Sequence, residues 1–147
     1  MPREFKKILC PTDFSEESYR AMEYGARFAQ AADGTLLIAH IIHVPTEHLL
    51  EPEGHLPSFD QLKGRARSLL EEVRDKRLAG TTKCELLLTV GDPYEQLMAM
   101  ATERNVDLIV TATHGRTGLE HLVMGSVAEK IIRHAPCPVF VVRRGTA

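Results

Sequence analysis

Apolar residues fall along this chain in two alternating textures: short, nearly unbroken runs, and longer stretches in which small and apolar residues recur at helical spacing. Lys7 to Pro11 is the first short run and predicts a strand. Ser15, with Glu16 and Glu17 behind it, predicts a helix N-cap followed by acids in the first turn. Met22, Gly25, Ala26 and Ala29 then sit at helical spacing, and Ala32 to Gly34 supplies a glycine stop. Leu36 to Val44 is almost continuously apolar, as expected of a parallel strand covered on both faces.

Thr46 to Pro57, with its prolines, His48, His55 and Gly54, predicts a long surface loop. A charged amphipathic helix follows from about Phe59 to Leu78. The run Lys83 to Val90 alternates more than the second strand, with Lys83 and Glu85 on one face, which favours a sheet edge. Asp92 as N-cap, Pro93 at the first helical position and Glu95 three residues after the cap mark a helix start. That helix closes with Met98 to Glu103. Val106 to Thr113 is a fourth strand, Gly125 to His134 a fourth long helix, and Cys137 to Arg144 a fifth strand. Strands alternating with helices imply one α/β domain over residues 1–147, with a parallel sheet, right-handed crossovers and helices on both faces.

Composition narrows the function. A hydrophobic content of 44%, a charged content of 26% and a formal charge of -2 describe an ordinary globular chain with no generic electrostatic attraction to nucleic acid. The first residues hold only Ile8, Leu9 and Cys10 as an apolar core before Pro11, too little for a signal peptide. No run approaches the roughly 18 apolar residues of a membrane span. Cys10, Cys84 and Cys137 are odd in number and far apart, which suits free thiols in a reducing compartment, each packed as a small hydrophobe. The expectation is a cytoplasmic protein.

In open α/β sheets, ligands sit beyond the carboxyl ends of the strands, where the strand order reverses. The loops to search follow strands one and four. The second of these ends with Gly125 and Ser126 opening a helix, whose unpaired N–H groups and partial positive charge suit an anion. The same two residues also make an ordinary helix start, and Gly115 an ordinary turn. Neither G-x-x-x-x-G-K-[ST] nor G-x-G-x-x-G occurs, which excludes a P-loop NTPase or a nicotinamide dehydrogenase of the usual kind.

The combination of "PTDFSEES", "THGRTG", "GSVAEKIIRHAPCPV" and a valine-rich last strand resembles the universal stress protein family over Lys6 to Arg143. The resemblance implies a flavodoxin-like, Rossmann-like sheet in the order 3-2-1-4-5, a homodimer and, in one branch of the family, ATP binding with or without Mg. Gly115, Gly125 and Ser126 match that branch's phosphate-binding glycine motif, and Ala112 stands in place of its first glycine. Alanine is tolerated there unless the position needs a positive φ or has no room for a methyl. By the same resemblance Pro11, Thr12 and Asp13 line the adenosine part of the pocket, Ile41 packs near adenine, and the amide of Val127 joins the phosphate site. Asp13 suits sugar hydroxyls as an acceptor, and equally serves as a second cap for the helix at Ser15. Arg116 and His114 flank Gly115, each within reach of a phosphate and each equally at home in a structural or solvated role.

Other chemistry fits less well. His40 and His43 point to opposite strand faces, and His48 and His55 have no completing ligands at recognisable spacing, so no metal site is expected. No G-x-S-x-G elbow is present, and Cys10 and Cys137 lack the setting of a nucleophile, leaving slow ATP hydrolysis as the only expected turnover. A phosphorelay receiver would need an acidic pair after strand one and a lysine after strand five, where this chain has only Asp13 and no lysine beyond Lys130. The last strand, Pro138 to Arg143, is an apolar edge in the implied order and pairs across a two-fold axis in the expected homodimer. The expected function is an ATP-binding stress-response module whose nucleotide modulates an unidentified protein partner, without nucleic acid or membrane. The alternative is a non-nucleotide-binding interaction module.

Overall fold

Five parallel strands form one sheet in the order third, second, first, fourth, fifth along the chain, the reversal falling between the first and the fourth. The computed structural model describes residues 4–43, 58–78, 80, 83–113 and 126–143. Along the chain run β1 (Lys7–Pro11), α1 (Glu16–Ala31), β2 (Thr35–Ile42), α2 (Phe59–Val73), β3 (Lys83–Val90), α3 (Pro93–Glu103), β4 (Leu108–Ala112), α4 (Ser126–His134) and β5 (Val139–Val142). The five-stranded flavodoxin-like architecture and its strand order are as expected, with β3 and β5 at the two edges.

Alternation along the strands divides the core in two. Ile8, Cys10, Leu36, Ile38, Leu108 and Val110 face α1 and α2, where they meet Met22, Ala26 and Leu70. Leu9, Leu37, Ala39, Ile41 and Ile109 face α3 and α4, against Leu97, Ala101 and Ile131. Ile8, Leu36, Ile38 and Leu70 are fully buried, each side chain contributing about 1.5–3 kcal/mol of apolar burial. Gly25 lets α1 approach the sheet closely: a Cβ there would run into the Sγ of Cys10 and lie 3.1 Å from Leu36.

The helix ends follow the sequence signals. Ser15 Oγ accepts from the Ser18 amide, and Asp92 Oδ2 accepts from the Glu95 amide at 2.9 Å. Both α1 and α3 stop in the paired 6→1 and 5→2 hydrogen bonds of a Schellman motif: Gly34 N–H to Ala29 O with Asp33 N–H to Gln30 O, and Val106 N–H to Ala101 O with Asn105 N–H to Thr102 O. The left-handed residue in the first is Asp33 (φ 51), not the glycine; Gly34 is needed because a Cβ would strike the backbone of Lys6.

Three expectations shift. The helix from Phe59 is α-helical only to Val73 and continues as a π-helical turn over Arg74–Leu78, anchored to α1 by an Arg77–Glu16 ion pair and by Arg77 over the Tyr19 ring. Cys10 is buried as expected, whereas Cys84 and Cys137 are half-buried. β4 and β5 are shorter than their apolar runs. Val44 and the loop Thr46 to Pro57 lie outside the described residues.

Candidate functional site

The two strands flanking the reversal stop pairing before they end. β1 stays in register with β2 as far as Pro11–Ala39, and β4 with β5 as far as Ala112–Val142. Between β1 and β4 the pairing covers only Ile8–Leu108 and Leu9–Ile109. The carboxyl ends of β1 and β4 flank the topological switch point, where this architecture has its ligand crevice.

One wall is the turn from Pro11 to Ser15. Pro11 closes β1; the Thr12 amide turns to β2, so the missing N–H of Pro11 lies on the β4 side, where the ladder goes no further than Leu9–Ile109. The Thr12 amide donates to Ala39 O at 2.8 Å, and the Thr12 side chain turns inward. Ser18 Oγ donates to Ser15 O, so the 2.8 Å contact between the two hydroxyls has Thr12 as donor. Thr12 Oγ1 in turn accepts from the Phe14 amide at 3.0 Å. Phe14 adopts φ 66, a left-handed conformation that costs a bulky residue about 1–3 kcal/mol and persists only where its surroundings hold it. Two hydrogen bonds and a ring contact do so here: the Ser15 amide reaches Asp13 Oδ1 at 3.0 Å, and the Phe14 ring lies 4.4 Å from the His40 ring.

Asp13 thus makes the capping contact with the helix start at Ser15, and it is half-buried just beyond the end of β1. Ile41 is buried on the α3 and α4 side of the sheet, the same side as Leu9. His40, on the opposite side, donates from Nδ1 to the Thr12 carbonyl at 2.8 Å, a contact that sequence reasoning missed because its partner is 28 residues away. His43 is exposed at the end of β2.

The other wall is the end of β4. Ala112 is half-buried and in register with Val142, and the Thr113 amide donates to Val142 O at 3.1 Å. Ala112 is not among the described residues with positive φ, which outside glycine are Phe14, Asp33 and Asn105. Across the crevice α4 begins at Ser126, which is exposed, while Val127 packs half-buried against the sheet. His114, Gly115, Arg116 and Gly125 lie outside the described residues.

Asp92 and the cysteines bear on two of the competing readings. Asp92, the residue in the place of a receiver's phosphoryl acceptor, spends Oδ2 on capping α3. Burial pushes the Cys10 thiol far above its ordinary range, with Cys84 adding to the effect, so it is a poor thiolate. Burial also raises Cys84, against the pull of Arg74. Among the described residues no group of three or more His, Cys, Asp or Glu side chains is arranged to hold a metal ion, and no helix is long and apolar enough to cross a membrane.

Comparison with known proteins agrees with this architecture. Residues 4–143 match the universal stress protein family. The universal stress protein MJ0531 of Methanocaldococcus jannaschii is 32% identical over 141 residues, covering 95% of this chain and 83% of its own length. The solved structure of MJ0577, from the same organism, superposes with a TM-score of 0.84 at 29% identity, covering 99% of this chain and 100% of that one. A universal stress protein solved in complex with cAMP superposes with a TM-score of 0.72 at 24% identity, covering 96% and 98%. With a family match over nearly its whole length and a sheet of the matching order, the chain belongs to the universal stress protein family.

Proposed function

We propose that the protein binds ATP in the crevice between the ends of β1 and β4, and that it acts as a cytoplasmic homodimer whose bound nucleotide alters a surface read by another protein. The observation that carries this reading is the switch point itself: β1–β4 pairing ends at Leu9–Ile109, with Asp13 and Ala112 beyond it on the two chain segments and α4 starting at Ser126. In this assignment Asp13 accepts from the ribose, Pro11 and Ile41 pack on the adenosine, and Thr12 braces the wall from inside. Ala112, Gly115, Gly125, Ser126 and the Val127 amide surround the phosphates, with His114 and Arg116 beside them. Magnesium would enter with the phosphates, which together with water would supply its ligands.

Ala112 supports this reading through its backbone: it sits in a strand conformation open to any residue, so the position does not call on glycine's freedom. The cAMP complex of the structural neighbour adds a fold-level precedent for an adenine nucleotide. Dimerisation is assigned to the edge strand β5, through Pro138 to Arg143, where Phe140 is exposed. The test is titration of ATP into nucleotide-stripped wild type and Gly125→Val. The wild type is expected to bind and the variant to bind at least about tenfold more weakly, since a β-branched side chain replaces glycine where the phosphates approach. Absence of wild-type binding at millimolar ATP would overturn the reading and leave an interaction module.

A further inference from the structure

The β1–β2 ladder stops at Pro11–Ala39, and beyond it the Thr12 carbonyl is met by a side chain, the His40 imidazole, at 2.8 Å. A carbonyl only accepts, so Nδ1 carries the hydrogen. The bond therefore exists in the Nδ1–H neutral tautomer and in the imidazolium, and survives protonation of the ring. The same ring lies 4.4 Å from that of Phe14, tilted by 39°. One side chain thereby holds two points of the turn: the carbonyl of the Thr12–Asp13 peptide and the ring of the left-handed Phe14. Between these two points stands Asp13.

We propose that His40 is a positioning residue of the nucleotide site, fixing the orientation of the Thr12–Asp13 peptide through its Nδ1–H bond and so aiming the Asp13 carboxylate into the crevice. This rests on the assignment of Asp13 to the nucleotide. His40 touches the site only through the turn: it faces the α1 and α2 side of the sheet, opposite Ile41. Rotation of a peptide plane is what an unpaired carbonyl would permit, and the strained φ of Phe14 would relax along with it. Asparagine at position 40 places an amide N–H where Nδ1–H stands, whereas glutamine carries its amide one bond farther and leucine carries none.

The test uses full-length wild type, His40→Asn, His40→Gln and His40→Leu, each read for ATP affinity below its unfolding transition and for hydrogen exchange of the Phe14 and Ser15 amides. The expected result is near-wild-type affinity for the asparagine variant, and a loss of about tenfold or more for leucine and glutamine with faster exchange at both amides. A merely structural histidine would change melting temperature while leaving ATP affinity level. Wild-type affinity in either the leucine or the glutamine variant, or an asparagine variant as weak as these, would overturn the inference. The glutamine variant decides the question if the leucine variant does not fold. If wild type itself binds no ATP, the nucleotide assignment fails; exchange at Phe14 and Ser15 unchanged by His40→Leu or His40→Gln would then overturn the positioning role as well, and acceleration in these variants but not in His40→Asn would uphold it.

Discussion

The Ser15 amide donates to Asp13 Oδ1 at 3.0 Å, tying the residue that caps α1 to the residue assigned to the nucleotide. Helix start and ligand wall are one covalent turn, so whatever disturbs one is felt by the other.

Replacing Asp13 separates its two roles. Asp13→Asn keeps an Oδ1 acceptor for Ser15, and its unfolding free energy should stay within about 0.5 kcal/mol of wild type. Asp13→Ala loses the bond and should cost about 1 kcal/mol in urea denaturation. ATP affinity should fall in both, more in alanine, because a charged acceptor makes a hydrogen bond about twice as strong as a neutral one. Unchanged affinity in Asp13→Ala would remove Asp13 from the site.

A methyl at Gly25 would collide with Cys10. Gly25→Ala should destabilise by about 1–3 kcal/mol through overpacking, less any gain from helix propensity. In a Cys10→Ala background the collision partner is gone, and the penalty should shrink. Additivity of the two substitutions within about 0.5 kcal/mol would show that this contact does not set the helix–sheet distance.

Cys10 also makes stability depend on alkaline pH. Its folded thiol is held above the ordinary range by burial. The unfolded chain releases this proton near pH 8.5, so above about that pH the native state binds more protons than the unfolded one and stability falls, by at most about 1.4 kcal/mol per pH unit. Below that range this group contributes no slope. Urea midpoints measured from neutral pH to about pH 10 should decline more steeply in wild type than in Cys10→Ala. Equal slopes would contradict the assignment.

The open edge of β5 is addressed by its backbone. Ile109 donates to Pro138 O and Thr113 to Val142 O, so the even-numbered peptide groups of β5 face β4 and those of Val139 and Val141 face outward. Val141→Pro therefore removes an outward N–H while leaving the β4 ladder its donors and acceptors. Sedimentation should show a dimeric wild type and a monomeric variant with native circular dichroism. A Val141→Pro protein that stays dimeric would move the interface elsewhere.

What was legible in the sequence was whatever local chemistry decides. Ser15, Asp92 and Pro93 act within one helical turn of themselves: the two caps form as read, and Pro93 takes the first helical position. The polar alternation of Lys83 and Glu85 places β3 at an edge because an edge leaves one side wet. The π-turn at Arg74–Leu78 escaped because its residues are ordinary helix formers, and the change of winding comes with a distant anchor, Glu16 on α1. His40 escaped for the same reason: its apolar neighbours on β2 fix only which side of the sheet it faces, while its partner Thr12 arrives through the fold. The glycine motif was legible as a pattern, but of the residues assigned to the phosphates the described structure includes only Ala112, Ser126 and Val127.

Whether the crevice between β1 and β4 holds an adenine nucleotide is decided by chemical identification of what the purified protein releases on denaturation. ATP is expected from wild type and none from Gly125→Val, with stripped wild type taking ATP up again. Wild type that releases no adenine nucleotide and takes up none at millimolar ATP would contradict it.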